Sequence, residues 1–421
     1  MATSPEQEPA QDAVQAQYER WVYPPRVDDL ATMPLTRHDW RHNDPRILWS
    51  LFWPDKEPRE DLDMLIAGCG TLSAAIAAYL FPKSRVVGID ISRSSLEHEE
   101  FLKKKHNLQN LTLRHAKIED VASLDVLPAD RGFDHIVCHG VLHHTADSVR
   151  SLRCLGAVLR QDGVIDIMVY GKHGRIGVAM LQELFRILQV PQDEAGIDFV
   201  RQTLAALSPR HPVQTYRAMA AEDLAFDAGI VDTFLNVRDV PFSVSDCYKL
   251  VEDAGLAFQG WKEPGMYAPD LRLPPDHPLR VRLDRLPERE MCQAAELIDA
   301  AIPGHWFHVC RRDRDPATYG IRFEGDAFLD YIPISRVTQS DVVQAAEGPA
   351  RRIRRPPFPP LVLTPRQTLL LNQVDGQRTV RQCIELANVS ESPADAKEFA
   401  RSFFQMLWRV GYSLYRIPAK T

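Results

Sequence analysis

From Asp63 onward the sequence alternates short apolar runs with stretches of helical period, and few architectures accept such a chain. DMLIA (63–67) is an apolar run closed by a glycine turn, TLSAAIAAYLF has helical period, and RVVGID (85–90) is the next apolar run. SSLEHEEFLKKKHNL then reads as a helix with Glu and Lys on its exposed side. LTLRHA (111–116), FDHIVCHG (133–140) and GVIDIMVYG (163–171) continue the series, with a helix over DSVRSLRCLGAVLR that Asp147 can cap. Parallel strands are covered on both faces and so read as continuous apolar runs, and each parallel pair needs a crossover between its members. The expected fold class is therefore α/β, with a doubly wound, Rossmann-like sheet.

The flanks read differently. Residues 172–240 break the rhythm with helical and loop-like sequence. SVSDCYKLVEDAGLAFQGW (243–261) resumes it, with Ser243 or Ser245 as cap and Gly255 as helix stop, and HWFHVCRR (305–312) is expected to close the sheet. Residues 1–16 are polar and expected to lack structure. Tyr18 to Trp53 is rich in aromatics (YERWVYPP, then RHDWRHNDPRILWSLFWP), which suits either a cap over a pocket or a packing extension. The last hundred residues suggest helix, turn, helix, longer helix and terminal strand, a winged-helix-like module. RRIRRPPFPP, with Arg351, Arg352, Arg354 and Arg355, is expected to be its solvated linker. The implied domains are 1–60, 61–313 with the insertion at 172–240, and 314–421.

Bulk properties narrow the function classes. The 421 residues suffice for two or three domains, and the net charge of −7 argues against nucleic acid or an anionic membrane as partner. No apolar run approaches the roughly 20 residues of a membrane span. The seven cysteines include no CxxC pair, which argues against a disulfide framework or a zinc ribbon; the sequence calls for no metal. The N-terminal stretch lacks the apolar core of a signal peptide, so the expected location is the cytoplasm.

The turn Gly68-Cys69-Gly70-Thr71 carries the most chemistry. Gly68 permits a backbone conformation closed to other residues, and Gly70 lets a ligand approach the main chain. Asp90, some twenty residues on, ends the second strand, where a carboxylate can receive both hydroxyls of a ribose. A dinucleotide loop would have a third glycine at Ser73, beside the pyrophosphate. Its absence points to a nucleoside without phosphates.

The ordered set GCGT, VVGIDIS, AKIED, FDHIVCHGVLHHTAD and LRQDGVIDIMVYG resembles the class I S-adenosylmethionine-dependent methyltransferases over roughly residues 61–313. The resemblance implies a seven-stranded methyltransferase sheet with an N-terminal helical cap and a helical lid insertion. It places Gly68, Cys69, Gly70 and Thr71 beside the methionine part of S-adenosyl-L-methionine, Asp90 with Ile91 at the ribose, and Ile118 with Glu119 at the adenine. Cys138-His139-Gly140 would lie close to the sulfonium. Two positions depart from the family pattern: Ile66 replaces an acid two places before the first glycine, and Lys117 stands where an acid at the adenine edge is usual.

Candidates for the acceptor side are His139, as base or orienting group or else a backbone-bonded histidine; Tyr170, at the rim of the fifth strand; and Arg175, holding a carboxylate or forming a surface ion pair. His143 and His144 are expected to be structural. Tyr18, Trp21, Tyr23, Arg37, Trp40 and Arg41 could cover the cofactor. YERWVYPP, HGVLHHT and MVYG also resemble bacterial protein-lysine-methyltransferase-like proteins, which carry a C-terminal regulatory region. The DGxRT pattern is similar to winged-helix peptide-binding modules. The leading expectation is methyl transfer to a small-molecule acceptor in a lid-covered pocket, with a protein or peptide acceptor second and a non-catalytic cofactor-binding regulator third. A homodimer is compatible with the sequence.

Overall fold

The structure, a computed structural model, describes residues 8–33, 45–127, 132–345, 348–390 and 392–418. Their contacts form two compact units. The first takes the described parts of 1–35, 59–258 and 299–313, and the second those of 36–58, 259–298 and 314–421. The division thus follows contact rather than chain order, with 259–298 grouped with the C-terminal region. No helix among the described residues is long and apolar enough to cross a membrane.

Two helices, α1 (Glu8–Arg20) and α2 (Pro45–Phe52), precede the strands β1 (Asp63–Ala67), β2 (Arg85–Asp90), β3 (Leu111–His115), β4 (Phe133–His139), β5 (Leu159–Tyr170), β6 (Leu256–Trp261) and β7 (Gly304–Arg311). These form one sheet of order β3-β2-β1-β4-β5-β7-β6. β1 to β5 pair in parallel, whereas β7 runs antiparallel to β5. The expectation that the 305–312 strand closes the sheet is corrected: β7 is inserted inside the edge strand β6. Strand order reverses between β1 and β4, the switch point where open α/β sheets bind ligands. Residues 8–16, expected to lack structure, belong to α1, where Val14 finds a buried position.

The crossovers are α3 (Ser73–Leu80), α4 (Arg93–Lys105) and α5 (Ser148–Ala157). α3 is apolar all round and buries Ala74 to Ala78, as a helix under a covered sheet must. Ser92 caps α4, which ends on Lys103, Lys104 and Lys105, the sign its dipole favours. Asp147 caps α5 as expected, but Leu159 and Arg160 already belong to β5. The 172–240 insertion is helical: α6 (Ile176–Ile187), α7 (Glu194–Ala206), α8 (Val213–Met219) and α9 (Asp227–Phe234) pack around Val178, Phe185, Val200 and Phe234, with Trp21 against them. In α10 (Val244–Asp253) a reciprocal Ser243–Asp246 pair decides the cap in favour of Ser243.

The second unit holds α2, α11 (Pro278–Leu283), α12 (Glu288–Ile298), a two-stranded pairing of β8 (Ile332–Ser335) with β12 (Ser413–Arg416), and a three-stranded sheet of β9 (Gln339–Ala345), β10 (Gly348–Arg354) and β11 (Leu361–Leu363). Its helices α13 (Pro365–Leu371), α14 (Val380–Ala387) and α15 (Pro393–Arg409) follow the expected helix, turn, helix, longer helix pattern, with capping boxes at Thr364–Gln367 and Thr379–Gln382. RRIRRPPFPP is not a solvated linker. Arg351, Arg352 and Arg354 lie in β10, where Arg352 and Arg354 pair with Asp341, and buried Arg355 grips both carboxylate oxygens of Glu263 at 2.7 Å.

Candidate cofactor and acceptor site

The chain leaves β1 through Gly68 (φ +72°) and Gly70 (φ +57°), in the left-handed region that favours glycine. Space forbids a side chain as firmly as the torsion does. A Cβ on Gly68 would lie 2.3 Å from Val141 Cγ2, and one on Gly70 3.0 Å from the Tyr23 carbonyl oxygen. The turn is pinned to β2: Gly68 and Cys69 donate their amides to the Ile89 carbonyl at 2.8 and 3.0 Å. Gly70 N–H donates to Asp90 Oδ2 and Ser92 N–H to Asp90 Oδ1, each at 2.8 Å. Burial pushes the Asp90 carboxyl above its usual value, against the pull of these amides. A carboxylate offers about four lone-pair sites, so both oxygens keep capacity for a pair of ribose hydroxyls. The glycine cradle and this carboxylate fit a nucleoside ligand.

Beneath the turn lies a group that sequence reading missed. Glu99, on α4, is fully buried and accepts from Ala74 N and Ala75 N at 2.9 and 2.7 Å, satisfying the free amides at the start of α3. Burial pushes its carboxyl up to about 8 despite those bonds. Nothing in the local spacing reveals this role, because cap and helix lie 25 residues apart.

The front segment lies across the strand ends. Thr71 Oγ1 donates to the Pro24 carbonyl at 2.8 Å, Ser92 Oγ to that of Tyr18 at 3.1 Å, and Glu19 accepts from the amides of Arg93 and Ser94. The same segment is tied to the insertion. Tyr18 OH donates to Asp232 Oδ1 at 2.7 Å, and Tyr170 OH, at the end of β5, to Asp232 Oδ2 at 2.9 Å. Gln17 Oε1 accepts from Gln192 Nε2 and from the Val237 amide. Burial, reinforced by the Asp232 charge, holds the Tyr18 and Tyr170 hydroxyls well above their usual range, so both remain donors.

The sequence-predicted residues fall into three groups. Gly68, Gly70, Thr71 and Asp90 meet at one turn. Cys69 joins them through its backbone alone, since its thiol is buried and pushed far above its usual range. Ile91 offers its carbonyl to the ring nitrogen Nε2 of His115 at 2.9 Å, Ile118 is buried, and Glu119 accepts from the Ser151 hydroxyl. His139, ending β4, lies 3.3 Å from the buried Asp166 carboxylate on β5. Arg175 is buried rather than at the surface. It bonds Tyr216 OH at 2.6 Å and Asp239 Oδ2 at 3.0 Å and stacks 3.7 Å from the Tyr170 ring centre, so its carboxylate partner is internal. His143 and His144 are buried in a 3₁₀ turn, and Ile66 is buried in β1. Arg37, Trp40 and Arg41 lie outside the described residues. Asp232 and Asp239 were missed; a carboxylate inside the apolar helix DAGIVDTF was the available signal.

Comparison with known proteins identifies a domain. Residues 59–199 match the family model Methyltransf_31, described as a methyltransferase domain. The sheet order agrees with this match. The chain carries a class I S-adenosylmethionine-dependent methyltransferase domain. The methyltransferase is 25% identical over 371 residues to the protein named Uncharacterized protein syc1184_c of Synechococcus sp., covering 86% of this chain and 84% of that one. It is 29% identical over 133 residues to tRNA 5-carboxymethoxyuridine methyltransferase of Escherichia coli K12, a match spanning 31% of this chain and 48% of that enzyme. Among solved structures, PKMT2 from Rickettsia typhi shares the fold with a TM-score of 0.60 at 17% identity, over 94% of this chain and 77% of that one. Its complex with AdoHcy gives 0.61 at 16% identity, over 88% and 74%. S-adenosylmethionine is the cofactor of the methyltransferase.

Proposed function

We propose that the methyltransferase alkylates a small-molecule acceptor beneath the front segment and the insertion. What supports this reading is the pair of hydrogen bonds by which Tyr18 of α1 and Tyr170 of β5 meet Asp232 of α9. Bound S-adenosylmethionine supplies an electrophilic methyl group, and in-line displacement asks of the protein chiefly positioning. Asp90 would receive the ribose hydroxyls, Gly68 to Thr71 would line the methionine side, and Ile118 with Glu119 would flank the adenine. Asp232, which accepts from two tyrosine hydroxyls, is suited to an ammonium group, that of methionine included, and would replace the acid missing at Ile66. His139, oriented by Asp166, stands at the end of β4, where it can take a proton from an acceptor that arrives protonated. Tyr170 and Arg175 would shape the acceptor side through Asp232 and Asp239.

A polypeptide acceptor is the second reading, favoured by a separately packed second unit with its own core. A separate module can supply binding energy away from the reacting centre. The test is transfer of labelled methyl from S-adenosylmethionine by the full chain into a cell extract split into metabolite and protein fractions. Label in the metabolite fraction is expected. Label confined to protein would replace the first reading by the second, and binding without label in either would leave a cofactor-binding regulator.

A further inference from the structure

Where the insertion ends, its last residues zip onto the turn that follows β4. The Val240 amide donates to the His143 carbonyl at 3.0 Å, and His144 Nδ1 lies 2.6 Å from the Arg238 carbonyl. Asp239, between them, points its carboxylate inward with only 4% exposure, toward two histidines that are themselves buried. The three side chains offer ligand atoms that all lie within 4.8 Å of one another.

Two buried atoms here lack any protein partner, His143 Nε2 and Asp239 Oδ1. An unpaired buried polar atom is costly, so such a pair at one point calls for a ligand. The outer contacts are those that orient metal ligands. A carbonyl only accepts, so His144 donates through Nδ1 and Nε2 is the ring atom left for a ligand, 4.0 Å from Asp232 Oδ1. Arg175 Nη2 and Gln182 Nε2 both hold Asp239 Oδ2 at 3.0 Å, which leaves Oδ1 free. The Tyr170 amide donates to His143 Nδ1 at 3.4 Å, at the edge of hydrogen-bonding range, and a metal on Nε2 would move the ring proton to Nδ1 and give up this long bond.

We propose that His143, His144 and Asp239 form a site for a divalent transition-metal cation that fastens the end of the insertion to the end of β4. Two imidazoles and a carboxylate suit zinc, iron(II), cobalt or nickel better than magnesium or calcium. Around a tetrahedral zinc the ligand atoms stand about 3.4 Å apart, so the three here need to draw in by about 1.4 Å at the widest. None of this depends on how S-adenosylmethionine binds.

The test is titration of the chelator-treated full chain with cobalt(II), followed by its visible absorption and by calorimetry, with the melting temperature as a third readout. One equivalent binding with tetrahedral absorption bands and a raised melting temperature is expected. His143→Ala and Asp239→Asn should each weaken that event by about 100-fold. If Asp239→Asn fails to fold by circular dichroism, His143→Gln, which keeps the volume, takes its place. Absence of a single tight equivalent in the wild type overturns the proposal, as does an affinity unchanged by the His143 substitutions. Either result would mean that water satisfies the buried pair.

Discussion

The turn after β1 and the junction of α1 with the insertion both bury charge at the strand ends, yet they are built from different materials. The turn is made of backbone: amides of Gly68, Cys69, Gly70 and Ser92 do the bonding, and one carboxylate, Asp90, organises them. The junction is made of side chains brought from far apart, with Tyr18 and Asp232 separated by 214 residues. A backbone site is vulnerable to added atoms, and a side-chain site to removed ones.

That contrast can be broken experimentally. Asp232→Ala should do the greatest damage, about 2–4 kcal/mol, because it leaves the hydroxyls of Tyr18 and Tyr170 buried without an acceptor. Chemical denaturation measures it, and a loss under 1 kcal/mol would show that the junction is not held by this carboxylate. Gly68→Ala should cost about 1–3 kcal/mol from its φ and from Val141, with S-adenosylmethionine affinity falling alongside. An alanine there that leaves both unchanged would mean that the turn is not sterically closed. Tyr18→Phe removes one bond to Asp232 and should cost only about 1 kcal/mol. A double-mutant cycle with Tyr170→Phe then shows whether the two donors are coupled.

A pH slope tests the buried carboxylate under the turn. The unfolded chain loses the Glu99 proton near 4.5, and the folded chain only near about 8. Between those values the unfolded state binds fewer protons, so this group's contribution is full below pH 4.5 and is lost as pH rises toward 8. Glu99→Gln should flatten that part of the stability profile, and a slope unchanged by the substitution would contradict the shift.

Local pattern explains what the sequence revealed. The apolar runs, the caps at Asp147 and Ser243, and the glycine turn with Asp90 each depend on residues near one another in the chain, and all were legible. The helices of the C-terminal region were legible for the same reason. What escaped depends on distant partners. Arg351 to Arg355 read as a linker because Asp341 and Glu263 could not be seen to face them. Arg175 read as either a holder of a ligand carboxylate or a surface ion pair because Asp239 and Tyr216 lay out of sight. Asp232 drew no notice because a buried acid acquires meaning only through the two tyrosines that meet it.

Asp90, held by the amides of Gly70 and Ser92, is proposed to anchor the nucleoside of S-adenosylmethionine. Calorimetric titration of the cofactor into the wild type and Asp90→Ala tests it most directly. One site is predicted in the wild type, with affinity reduced about 100-fold in the variant, as expected when hydrogen bonds to a charged group are lost. Equal binding by a folded Asp90→Ala chain would contradict the assignment.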